Sequence, residues 1–187
     1  KQDWVCQQPG YLDSLLQLQY TLPTSLKLPC IQQQWQICHQ YREHLSHPRI
    51  TSEHQTLTLQ TPQKDQRQAI TLLKRWLKHT AEQHLNPRLE AMAQQTGLHY
   101  NQVQWRCQKT RWGSCSSQKN INLNIKLLFL DSPQVEYVMC HELCHTQHMR
   151  HNQPFWSLLT THLPNARRLD RELSHYTSAE LEWLHRC

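Results

Sequence analysis

The chain has 187 residues, 37% of them hydrophobic and 18% charged, with a net charge of +6 and a pI of about 9.0. That length has room for one domain, or one domain and a small appendage, with a core that needs no disulfides. Three glycines, Gly10, Gly97 and Gly113, are too few and too scattered for a Rossmann fingerprint or a P-loop, and the longest apolar run, Leu127 to Leu130, falls far short of the ~20 residues of a membrane span.

Residues 1–63 read as a small β-rich region. Short apolar stretches at Tyr20–Leu28, Gln34–His39 and Thr56–Gln60 are punctuated by Pro23, Pro29, Pro48 and Pro62, and Leu57 and Leu59 alternate with threonines as in a half-buried strand. From 65 to 86, Ile70, Leu73, Leu77, Ala81 and Leu85 recur at spacings of three and four, the stripe of an amphipathic helix. Pro87 interrupts or restarts it, and a second helical piece over 88–96 ends at Gly97, a residue suited to the C′ position. Val103, Trp105 and Cys107 alternate with polar residues as one strand; Ile121, Leu123 and Ile125 form another. A polar turn from Lys109 to Asn120 links them. Ser132 as N-cap and Pro133 at the first helical position open a helix that runs through Val135, Val138 and Met139. Another starts at Pro154 and Phe155 and stops near Pro164; Thr177 with Glu180 resembles a capping box ahead of Leu181 and Leu184. The pattern predicts an α+β protein divided into residues 1–63 and 64–187.

The basic residues are scattered without a long run and read as a solvated surface. The cysteines, at 6, 30, 38, 107, 115, 140, 144 and 187, show no CxxC pair, and two of them sit four apart in one helix. No leader pattern precedes them, so reduced thiols in a cytoplasm are expected. Fourteen histidines are the larger anomaly, because histidine is the commonest metal ligand.

Two of them lie in His141-Glu142-Leu143-Cys144-His145, an H-E-x-x-H sequence. On a helix, residues four apart are separated by only about 40°, so both imidazoles reach one ion. Glu142 is offset from His141 by about 100°, beside a metal-bound water rather than on the metal, where it can act as general base. The bland alternative is a polar helix face with two satisfied histidines. The apolar Val135, Val138 and Met139 weaken that reading, as does His151, ten residues after His141. A third ligand there requires the helix to end after His145 and the chain to turn back through Met149–Asn152. His148 competes with His151 for this place, and a downstream carboxylate such as Glu172 is the other candidate.

Arg111-Trp112-Gly113-Ser114-Cys115, Ile121-Asn122-Leu123-Asn124, Tyr137 through His145, and His151-Asn152-Gln153-Pro154-Phe155-Trp156 together resemble the YgjP-like metallopeptidase family, related to the SprT and WLM zinc peptidases. The resemblance covers about residues 67–165. It implies a minimal zincin-like domain, with helices packed on a small antiparallel sheet behind the β-rich N-terminal region. It implies one Zn2+ per chain held by His141, His145 and His151, with Glu142 as the catalytic base. Asn152 stands where the family usually has Ser, and no C-terminal zinc ribbon of the SprT kind is present, since only Cys187 follows Cys144.

The expected activity is hydrolysis of peptide bonds in a peptide or protein substrate, with no membrane partner. The alternatives are a metal-dependent nucleoside triphosphate pyrophosphatase, served by Lys109, Arg111 and Lys119, and a DNA-associated protease like the WLM relatives. The sequence carries no appendage that supports nucleic-acid binding. The R-W-G-S-C turn reads as a structural corner with Trp112 on the core; its functional reading makes the strand around Asn122 to Lys126 an edge that pairs with a peptide. His175 and Tyr176 are weak candidates for stabilising the oxyanion. Cys140 and Cys144 lie behind the histidines on the helix and read as buried thiols.

Overall fold

A computed structural model of the chain describes residues 22–62, 66–176, 181, 183 and 184. These form two compact units, one of residues 22–26, 34–62, 66–75, 181, 183 and 184, the other of 27–33 and 76–176.

Four strands make the first sheet: β1 (Ser25–Leu28), β2 (Gln33–Tyr41), β3 (Arg49–Glu53) and β4 (Thr56–Thr61), in the order β1-β2-β4-β3. Strand β4 runs parallel to β2 and antiparallel to β3. The alternation of Leu57 and Leu59 is the period-two pattern expected of a strand with one dry face, and both are fully buried. His54 and Gln55 close the β3–β4 hairpin as a two-residue loop with φ of 45° and 60°. Two positive φ values match the right-handed twist of the strands.

Helix α1 (Gln66–Thr96) is continuous, so Pro87 does not divide it as the sequence suggested it could. A proline there forfeits the bond to the Gln83 carbonyl and strains the turn. The helix survives because its buried stripe keeps phase: Leu77, Ala81, Leu85, Leu89 and Ala93 are spaced by four across the proline and are all buried. Packing of such a face outweighs one poor local propensity.

In the second unit, β5 (Gln102–Arg106), β6 (Gly113–Cys115) and β7 (Asn120–Asn124) form a sheet in the order β5-β7-β6. The α+β class, with helices on a small sheet and a strand-rich N-terminal region, is as expected; the sheet itself is mixed rather than wholly antiparallel. Strand β7 runs parallel to β5, with Trp105 opposite Leu123, and antiparallel to β6, with Ser114 opposite Asn122. Strand β7 is therefore central, and the edge expected around Asn122 to Lys126 belongs instead to β6. The long polar link after β5 makes this possible: it returns the chain across the end of the sheet and inserts β6 before β7 begins.

Helix α2 (Ser132–Cys144) begins one residue earlier than read from sequence. Asp131, not Ser132, is the N-cap, in a capping box with Gln134. The Ser132 hydroxyl donates instead to the Cys30 carbonyl, which also accepts from Arg88. Helix α3 (Gln153–His162) is capped by Asn152, whose side chain accepts from the Phe155 N–H at 3.3 Å. Asn and Ser are equally good N-caps, so this departure from the family pattern is chemically neutral. Helix α4 (Ala166–Ser174) was not read from the sequence; its buried face is Ala166, Leu169 and Leu173. The capping box expected at Thr177 and Glu180 lies outside the described residues.

Among the described residues no helix is long and apolar enough to cross a membrane, and none of the six described cysteines forms a disulfide.

Candidate metal centre

Helix α2 presents His141 and Glu142 in its last turn, and His145 is its C-cap. The chain then turns tightly, with the Gln147 and His148 amides both bonding to the Cys144 carbonyl, and returns to place His151 just ahead of α3. The three Nε2 atoms meet: His145 to His141 is 3.1 Å, and His151 lies 3.0 Å from each. Phe155, fully buried in the first turn of α3, floors the cluster with ring centroids 4.6 to 5.0 Å from the three imidazoles. Among the described residues this is the only group of three or more His, Cys, Asp or Glu side chains close enough to hold a metal ion.

Three imidazole nitrogens so close cannot satisfy one another, because a neutral ring has one N–H and one lone pair. The His145 Nδ1 faces the His148 carbonyl at 2.9 Å, so the proton sits on Nδ1 and the bare Nε2 faces the cluster. On the other side His141 Nδ1 lies 3.1 Å from the Tyr137 hydroxyl. Burial, with His145 and His151 beside it, pushes His141 down to about 3, so its ring is neutral at pH 7; burial also lowers His145. Imidazole nitrogens are donors that zinc takes, and the spacing of these three is a few tenths short of the ~3.3 Å between ligand atoms around a tetrahedral ion at about 2.0–2.1 Å.

Glu142 is 5% exposed, and its Oε2 has no hydrogen-bond partner among the described residues. A buried carboxylate oxygen left unmatched costs about 1–3 kcal/mol unless something else meets it. Burial pushes this carboxyl up to about 8, with the Arg111 guanidinium pulling the other way. Its opposite face rests on Gly113: a Cβ built there would stand 2.6 Å from Oε1 and 2.7 Å from Cγ. Glycine is required at this position of β6 by close approach, not by backbone conformation.

The loop that carries Gly113 is pinned from β7. The Asn124 amide, fully buried, donates to the carbonyls of Gln108 and Arg111 at 2.8 and 2.7 Å, while its backbone N–H bonds the Trp112 carbonyl. Lys126 donates to the Lys109 carbonyl and lies over the Trp112 ring. Tyr176 meets that ring edge to face, with centroids 5.3 Å apart. Trp112 is half-buried, its ring held by Lys126 and Tyr176, rather than packed on the core as expected. No local pattern announces these Asn and Lys contacts: Asn124 shares the polar side of the alternation with Asn122, away from Ile121 and Leu123.

The competing ligands are placed elsewhere. His148 contributes its backbone carbonyl, and Glu172 is an exposed partner of Arg168. Cys140 and Cys144 are buried free thiols. His175 is exposed at the end of α4.

A family model described as YgjP-like, metallopeptidase domain, matches residues 1–176, and so takes in the N-terminal region that the motifs alone left out. The crystal structure of the metallopeptidase zymogen of Pyrococcus abyssi abylysin is similar at 25% identity, covering 46% of this chain and 89% of that one, with a TM-score of 0.42. No curated protein matches.

Proposed function

Because the chain belongs to the YgjP-like metallopeptidase family, we propose that it is a zinc-dependent peptidase whose single ion is held by His141, His145 and His151, with Glu142 as general base. What carries this reading is the convergence of three imidazole nitrogens beside a buried carboxylate oxygen that no group among the described residues satisfies. A zinc ion bound there supplies Lewis acidity toward the scissile carbonyl and acidifies water. The chain's own residues do the rest. Glu142 accepts a proton from the attacking water through Oε2 and delivers it to the leaving amine. Gly113 keeps the other carboxylate oxygen in place, and Phe155 closes the floor against solvent.

In this reading residues 64–187 carry the chemistry and residues 1–63 are an accessory region. The cytoplasm is the compartment that fits cysteines which, wherever described, are unbridged.

Incubation of zinc-loaded protein with unfolded casein and, separately, with UTP tests the assignment. Peptide release from casein, abolished by a chelator, is expected, with UTP left intact. Cleavage of UTP with casein untouched would transfer the same site to phosphoanhydride hydrolysis.

The role of Gly113 has its own consequence. In Gly113→Ala the new methyl and the Glu142 carboxylate cannot both keep their places, and burial leaves the carboxylate little room to retreat. Misplacement of a catalytic group by about 1 Å costs roughly 10²-fold. The expected result is a kcat reduced by about that factor with zinc content unchanged, checked by metal analysis beside steady-state kinetics.

A further inference from the structure

Tyr137 stands one turn before His141 on the same face of α2, and its ring is buried. Its hydroxyl lies 2.6 Å from the Asp170 Oδ1 on α4 and 3.1 Å from the His141 Nδ1. A phenol has one proton to give, and an ionised carboxylate can only accept. The short bond to Asp170 therefore takes that proton, and the phenol oxygen is left to accept from the His141 Nδ1–H. His141 is thereby held with its proton on Nδ1 and its Nε2 lone pair aimed at His145 and His151. His145 reaches the same state through a backbone carbonyl, which no substitution of a side chain removes. His141 depends on two side chains from two helices.

Resting on the metal site proposed above, we propose that Tyr137 and Asp170 are positioning residues of that site: the relay Asp170–Tyr137–His141 lets α4 set the tautomer and aim of His141, and with them the affinity for the ion. The relay has a direction. Without the Asp170 carboxylate the phenol proton turns to the His141 Nδ1, the imidazole proton moves to Nε2, and the lone pair leaves the cluster. Without the phenol oxygen, loss of Asp170 has nothing left to redirect.

The test is zinc titration of metal-free protein against a chromogenic chelator. Outer partners of metal-bound histidines are worth 10–100-fold in affinity. Tyr137→Phe and Asp170→Ala should each weaken zinc binding by about that factor. The double variant should be no weaker than Tyr137→Phe alone, and Asp170→Asn, whose amide oxygen still accepts from the phenol, should hold most of the parent affinity. Tyr100→Phe, which removes the Tyr100–Glu90 bond on the exposed side of α1, serves as control and should leave the affinity unchanged. Nitrogen-15 shifts of the His141 ring in the metal-free protein should report an Nδ1–H tautomer in the parent and an Nε2–H tautomer in Asp170→Ala. Parent affinity in Tyr137→Phe, or losses that simply multiply in the double variant, overturn the relay while leaving the metal site standing. A parent that takes up no zinc overturns both.

Discussion

His151→Ala should be purified with well under one zinc per chain, whereas His148→Ala should keep the full complement. The two histidines are three residues apart in the same turn, and both spacings are compatible with a third ligand, so this pair of variants separates them. His151 Nε2 lies 3.0 Å from both His141 and His145; His148 enters only through its backbone carbonyl, which alanine retains. Two remaining imidazoles cannot fix a zinc ion in a closed geometry, and the loss should exceed the roughly 10–100-fold expected when an outer partner such as Tyr137 is removed. Metal analysis of protein purified without chelator decides it. A His148→Ala protein without metal, beside a metal-replete His151→Ala, would reverse the assignment.

The residues that meet at this centre were legible because their separations are short and periodic. His141, Glu142 and His145 are placed by one helix turn, and a turn of six residues is enough to return His151 to them. What the sequence hid lies where structure depends on partners far along the chain. Alternation in Val103–Trp105 and Ile121–Leu123 announces two strands with one dry face each, but it is the same for a parallel and an antiparallel pair. The three-residue β6, without apolar alternation of its own, left no trace, and with it went the knowledge of which strand is the edge. Pro87 carries a strong local signal that was overruled by burial on both sides of it. Helix α4 is brief and mostly charged, with its apolar stripe reduced to Ala166, Leu169 and Leu173. That is also why Asp170, two residues before the alternative ligand Glu172, carries no local signal. The His54-Gln55 loop adopts two positive φ values without the Asn-Gly pair that usually advertises them. Gly113 was visible as a turn residue, whereas its reason for being glycine is the Glu142 carboxylate, 29 positions later in the chain, which no local pattern displays.

Glu142→Gln should bind zinc as the parent does and lose turnover by at least the 10²–10⁴-fold that general-base catalysis supplies. The side chain projects beside the three histidines rather than among them, so the ligand set is untouched. Gln has the same length and shape, and it fits over Gly113 where a larger group would not. In the metal-free protein burial raises the Glu142 carboxyl to about 8, so near pH 7 it is largely protonated and the neutral amide replaces a group that was itself mostly neutral. The fold should therefore tolerate the exchange, and the thermal midpoint of the metal-free variant should stay near that of the parent. An amide, however, has no basicity with which to take a proton from water, and none to pass on to a departing amine. Zinc content has to be measured on the same sample, because loss of the ion would imitate loss of the base. A Glu142→Gln protein that is zinc-replete and still hydrolyses casein near the parent rate would remove Glu142 from the mechanism. His141, His145 and His151 would then be left as a metal-binding site whose chemistry, if any, uses another base.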